Sequence, residues 1–138
     1  MEQTVIIVKP DAVSAHHIGA IVSRFEEAGF KMVAGKYIYL TQELLTTWYA
    51  HHASKPFFPE LVAFMTETPV FASVWEGEGV IARVRQLCGP TDSTKALKGT
   101  IRGDFGTDIQ RNAVHASENS DAAKKEIGLL FKKTEIIS

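Results

Sequence analysis

Short apolar runs of two-residue period alternate along this chain with apolar stripes of helical spacing, and that alternation narrows the folds open to it. Residues 4–8 are a β-branched run ended by Lys9-Pro10, which reads as a buried strand. Ile18, Ile21, Val22 and Phe25 recur at helical spacing, with Gly29 as a stop. Residues 31–40 put Met32, Ala34, Ile38 and Leu40 on one alternating face and Tyr37 and Tyr39 on the other, a second strand. Thr41 can cap a short helix reaching about His52. Pro59 suits a first helical position ahead of an apolar face of Leu61, Val62, Phe64 and Met65, and Pro69 ends that helix. Residues 70–75 read as a third strand. Val80, Ile81, Val84, Leu87 and Cys88 form a helical stripe closed by Gly89-Pro90. Residues 113–115 suit a short final strand, and residues 120–131 a final helix with Ala123, Ile127, Leu130 and Phe131 inward.

The order βαββαβ with added helices predicts an α+β fold. Its expected form is a ferredoxin-like α/β sandwich, a four-stranded antiparallel sheet covered on one face by helices. A length of 138 residues fits one domain, residues 1–138, and is enough to bury a core. Residues 89–111 have no clear period and are rich in Gly, Thr, Asp and Lys, so a long functional loop is expected there. Net charge is −1, which gives no global attraction to nucleic acid or anionic membrane. Any phosphate site must therefore use local cations. Cys88 is the only cysteine, which rules out an internal disulfide and suits a reducing compartment. No apolar run approaches the ~20 residues of a membrane span, and the first residues lack a basic signal region. A cytoplasmic location is the expectation.

The stretch Asn112-Ala113-Val114-His115-Ala116-Ser117 sets one histidine among small and polar residues. A neutral imidazole is a good nucleophile near pH 7 and can carry a covalent group. The other histidines, His16, His17, His51 and His52, come in adjacent pairs on segments read as helical. Neighbours on a helix diverge, so these pairs make poor metal sites and suit a solvated surface. Neither a phosphate-binding Gly-x-x-x-x-Gly-Lys-Ser/Thr loop nor a protein-kinase glycine loop is present.

The His115 stretch resembles the active-site signature of the nucleoside diphosphate kinases. Val8-Lys9-Pro10-Asp11, residues 49–58, and Gly99-Thr100-Ile101-Arg102-Gly103-Asp104-Phe105 are similar to the same family, in the family's order and over essentially the whole chain. The resemblance implies the ferredoxin-like fold and a phosphotransferase. It passes the γ-phosphate of a nucleoside triphosphate to a nucleoside diphosphate by a ping-pong mechanism, through phosphohistidine at His115. It implies that Glu126 orients His115, with Ser117 beside them and Tyr49 near the phosphates. Lys9, Arg85, Thr91 and Arg102 would hold phosphate; Phe57, Leu61 and Ile109 would sandwich the base; Lys9 and Asn112 would hold the sugar. It implies Mg²⁺ carried mainly by nucleotide phosphates and water, with no protein cage, and a homotetramer or homohexamer built from dimers. Three stretches depart from the family's usual residues. Ala116-Ser117-Glu118-Asn119 stands for Gly-Ser-Asp-Ser, Lys55 for arginine, and Asp92-Ser93 for Asn-Pro, the last expected to loosen its loop. A nucleotide- or RNA-binding regulator without turnover is the competing reading. Formation of an acid-labile phosphoprotein separates the two.

Overall fold

The computed structural model describes residues 1–137. The strands are β1 (Gln3–Val8), β2 (Lys31–Ile38), β3 (Val70–Glu76) and β4 (Val114–Ala116). The helices are α1 (Pro10–Ser14), α2 (Ile18–Glu27), α3 (Gln42–Trp48), α4 (Phe58–Met65), α5 (Val80–Cys88), α6 (Ile101–Phe105) and α7 (Ser120–Leu130). Short 3₁₀ turns lie at Ala50–His52, Ser93–Lys95 and Lys133–Glu135. The sheet runs β2-β3-β1-β4 with every neighbouring pair antiparallel. This is the expected α+β sandwich.

The expectation that helices cover one face only is corrected. Both faces are covered, because β1 is apolar at Val5, Ile6, Ile7 and Val8 without alternation. Ile6 and Val8 pack with Trp75 against Ile21 and Phe25 of α2 and Val80 and Val84 of α5. Val5 and Ile7 pack with Val70 and Val74 against Leu45 and Trp48 of α3, Phe58 and Phe64 of α4, and Leu130 of α7. Each of these larger side chains contributes about 1.5–3 kcal/mol on burial.

The face assigned to the second strand is also corrected. A bulge between Met32 and Ala34 shifts the register, so Val33 is an extra residue. Met32 packs with the first layer while Val33 and Ala34 both enter the second. Tyr37 stays largely exposed, at 57%.

Two helices escape the sequence reading because each has five residues, too few to show a period: α1, opened by Pro10, and α6 inside the segment expected to be a loop. Thr100 caps α6 by accepting from Gly103 N–H at 3.0 Å. Glycine is required at 103, since a Cβ there would overlap the Leu97 carbonyl. Asp92 caps the 3₁₀ turn after it by accepting from Thr94 N–H at 3.0 Å, a side-chain tether within this loop. Asn119 caps α7 by accepting from Ala122 N–H at 2.8 Å. Among the described residues no helix is long and apolar enough to cross a membrane. Cys88 is fully buried and burial pushes its thiol up to about 11, which leaves it inert as a nucleophile.

Candidate active site

His115 lies at the middle of β4, opposite Ile7 of β1. Strand alternation sends Val114 and Ala116 into the first layer and turns His115 to the opposite face. There its ring meets Trp48 of α3 edge-on, with centroids 5.0 Å apart. Glu126 reaches the ring from α7, placing Oε2 3.0 Å from Nε2. The helical stripe of Ala123, Ile127 and Leu130 includes position 126, so this glutamate is buried, at 4% exposure. Its Oε1 accepts from Ser117 Oγ at 2.6 Å, and Ser117 Oγ accepts from Val5 N–H at 3.0 Å.

This arrangement fixes the chemistry of the ring. Burial alone would raise the Glu126 carboxyl, but the hydrogen bonds from His115 and Ser117 outweigh it and hold the group below its ordinary value. An ionised carboxylate beside Nε2 selects the tautomer in which Nε2–H donates to it. Nδ1 is then the nitrogen with the free lone pair.

Two clefts bear on the site, and His115 lines the smaller of them. One of about 250 Å³ is lined by His115, Glu126, Tyr49, His51, His52 and Glu118, among others. Tyr49 stacks on Trp48 at 5.1 Å, and burial, with Glu126, pushes its hydroxyl up to about 12. A second cleft of about 760 Å³ brings together Lys9, Phe57, Leu61 and Ile109. Phe58 is buried while Phe57 is 49% exposed and Ile109 64% exposed, leaving two apolar side chains open to a flat ligand. The His52 ring, 5.6 Å from Phe57, stands between the clefts.

Lys9 and Asn112 meet directly: Lys9 Nζ donates to Asn112 Oδ1 at 2.8 Å and to Gln110 O at 3.3 Å. Burial first, and then the Arg102 charge, lower the Lys9 ammonium to about 8. Asn112 donates through Nδ2 to Thr91 O at 2.9 Å and Ile109 O at 3.1 Å, tying the exposed Thr91 and Ile109 to Lys9. Arg102 and Arg85 meet the open edge of β4. Arg102 donates to Val114 O and to Gly89 O, both at 2.9 Å, and Arg85 donates to Ala116 O at 3.3 Å. Two cations therefore satisfy the outward carbonyls of the edge strand that carries His115. Arg102 is 7% exposed, and its Nε has no partner among the described residues.

The sequence reading did not single out Trp48, His51, His52 or Asp11 as neighbours of this site, and it named Glu118 only as a departure in the stretch after His115. The histidine pairs are corrected in part. His16 and His17 lie between α1 and α2, and His51 and His52 lie in a 3₁₀ turn with rings 4.0 Å apart instead of diverging. Their adjacency to Tyr49 in sequence was the available signal. Among the described residues no group of three or more His, Cys, Asp or Glu side chains is arranged to hold a metal ion.

The family model for nucleoside diphosphate kinase matches residues 2–136. The chain is 50% identical over 136 residues to a nucleoside diphosphate kinase of Natronomonas pharaonis, covering 98% of this chain and 89% of that one. It is 47% identical over 137 residues to one of Bacillus anthracis, covering 99% and 93%. The solved nucleoside diphosphate kinase of Aquifex aeolicus superposes with a TM-score of 0.94 at 45% identity, over 99% of both chains. That of Halobacterium salinarum, solved in complex with CDP, gives 0.95 at 47% identity, over 99% and 91%. Model, relatives and fold agree across nearly the full length, and the chain belongs to the nucleoside diphosphate kinase family of phosphotransferase enzymes.

Proposed function

We propose that this chain moves the γ-phosphoryl group of a nucleoside triphosphate onto a nucleoside diphosphate through a phosphohistidine at His115. The observation that carries this reading is the Nε2 contact with Glu126, which leaves Nδ1 free to attack. The Nδ1 lone pair forms a bond to the γ-phosphorus, the bridging bond to the β-phosphate oxygen breaks, and the diphosphate leaves with that electron pair. A β-phosphate oxygen of the second diphosphate then attacks the same phosphorus and the P–N bond breaks. No proton need move, because Nε2 keeps its hydrogen. The imidazole gains positive charge on phosphorylation, and Glu126 offsets it.

The base would lie between Phe57 and Ile109 against Leu61, as an apolar sandwich open to any base. Lys9, Arg85, Thr91 and Arg102 are the proposed phosphate contacts, and Asn112 with Lys9 the sugar contacts. For Asn112 this leaves only its oxygen free beside the bond it already makes. Tyr49, which lines the smaller cleft beside His115, would stand near the phosphates. Mg²⁺ is proposed to arrive as the nucleotide complex, held by phosphates and water, which suits a hard and well-hydrated ion. The CDP complex of the Halobacterium salinarum relative supports nucleotides as ligands. For assembly we propose a homotetramer or homohexamer built from dimers, decided by native mass, and for location the cytoplasm.

The test is to mix the protein with ATP and Mg²⁺ and isolate acid-labile phosphoprotein, then to vary both nucleotides. Parallel double-reciprocal lines are expected, with adenine, guanine, cytosine, uracil and thymine nucleotides all accepted. Intersecting lines would indicate direct transfer in a ternary complex and overturn the phosphoenzyme, while nucleotide binding with neither phosphoprotein nor turnover would leave the chain a binding module. Glu126→Gln tests orientation. It keeps a hydrogen bond but loses the charge, so phosphorylation by ATP should slow by roughly 10–100-fold with nucleotide affinity nearly unchanged. An unchanged rate in rapid-quench measurements would remove Glu126 from the mechanism.

A further inference from the structure

Just before the nucleophile the backbone makes a three-residue turn. Val114 N–H donates to Asn112 O at 2.9 Å, and Ala113 between them has φ of 73°. This is a γ-turn of the rare, strained hand. Ala113 carries a Cβ and is fully buried, so neither glycine's freedom nor solvent relieves the conformation.

Two hydrogen bonds hold it, both from the segment Lys9-Pro10-Asp11. Ala113 N–H donates to Asp11 Oδ2 at 3.0 Å, and Ala113 O accepts from Lys9 N–H at 2.8 Å. Pro10 opens α1 and fixes the backbone between these anchors. Upstream of the turn, Asn112 is tied to Lys9, Thr91 and Ile109 at the larger cleft. Downstream, His115 follows Val114 directly. The turn thus sets the distance and angle between the nucleotide seat and the attacking nitrogen.

We propose that Asp11 is a positioning residue for phosphoryl transfer: its carboxylate holds the strained Ala113 turn that aims His115 at the bound nucleotide. This role rests on the reading of His115 as the phosphoryl acceptor. Without the anchor, Ala113 relaxes toward negative φ, its peptide planes rotate, and β4 enters the sheet displaced from Lys9. Reacting atoms moved by about 1 Å lose roughly 10²-fold in rate. The proposed base contacts Phe57, Leu61 and Ile109 line the larger cleft, away from the turn, so binding persists. Among the described residues only one carboxylate oxygen has a partner, and Oδ1 is buried without one. An asparagine can therefore supply the same acceptor, and the geometry of the oxygen matters more than its charge.

The experiment compares the full-length wild type with Asp11→Asn, Asp11→Ala, and Asp11→Ala combined with Ala113→Gly. Phosphoenzyme formation from ATP and Mg²⁺ is followed by rapid quench, nucleotide affinity by calorimetry, and folding by thermal melts. Asp11→Ala should slow phosphorylation by roughly 10²-fold with affinity within about threefold of wild type. Asp11→Asn should stay within about tenfold of wild type, since it keeps the acceptor. Glycine enters positive φ without strain, so the double variant should recover most of the lost rate. A merely structural role would lower stability and would gain nothing from glycine at 113. A wild type that accepts no phosphoryl group overturns the functional reading and this role with it. A wild type that accepts one, beside a folded Asp11→Ala variant of equal rate, or a double variant no faster than Asp11→Ala, overturns the role of Asp11 alone.

Discussion

Replacing His115 with alanine should abolish phosphoryl transfer while leaving nucleotide binding in place. The imidazole of His115 is the group in the smaller cleft whose ring is oriented by a carboxylate, through Nε2 to Glu126 at 3.0 Å; Tyr49 is held protonated to about 12, and Glu126 is engaged by Ser117. Losing a covalent route leaves only slow background transfer, so turnover should fall by roughly 10⁴-fold or more. The fold should survive. Ala113, Val114 and Ala116 carry the packing of this strand, and Glu126 keeps its bond to Ser117, so no carboxylate is stranded. Binding should persist because Lys9, Phe57 and Ile109 line a separate cleft. A coupled assay with ATP and a second diphosphate, together with label transfer from the γ-position, measures both. Near wild-type turnover by purified His115→Ala protein would overturn the phosphohistidine mechanism.

Much of the frame was legible because it rests on local rules. β1 is apolar at consecutive positions, α2 and α5 repeat at helical spacing, and Thr41 caps α3. What was not legible depends on partners distant in sequence. The bulge at Val33 is set by pairing with Trp75 and Val74, and no pattern within residues 31–40 announces it. The consecutive apolar residues of β1 did announce a second covered face. The helices that would supply it are short, however, and their apolar positions also fit a surface stripe. At the site, the residue types and order were readable through the family's motifs, while their connections were not. Glu126 looks like a solvated helical residue until Ser117, 9 positions away, and His115, 11 away, are seen to share its carboxylate. The Asp11 bond to Ala113 spans 102 positions and leaves no local trace. Arg102 shows the limit from the other side: its type suggested a free fork for phosphate, whereas two of its N–H groups already serve carbonyls.

Lys9→Met should slow transfer by about 10²–10³-fold, the usual loss when one preorganised cationic donor leaves a phosphoryl-transfer site. Methionine fills similar volume, so the loss is one of charge and of the bond to Asn112 Oδ1 rather than of packing. The same lysine makes nucleotide binding depend on pH. Burial and the Arg102 charge set its pKa at about 8 in the free protein. A bound phosphate beside it would favour the charged form and return it toward its ordinary value of ~10.4. Below about pH 8 the lysine is protonated in both free and bound protein, and affinity is flat from this cause. Above that, the free protein has lost a proton that the complex retains, so binding takes one up and weakens as pH rises. The fall should be roughly fivefold between about pH 8 and 9. Calorimetry in two buffers of different ionisation enthalpy counts the proton directly. Lys9→Met should bind with no uptake and a flat profile across that interval. A wild-type affinity that is equally flat would mean that Lys9 does not sit against the nucleotide's phosphates.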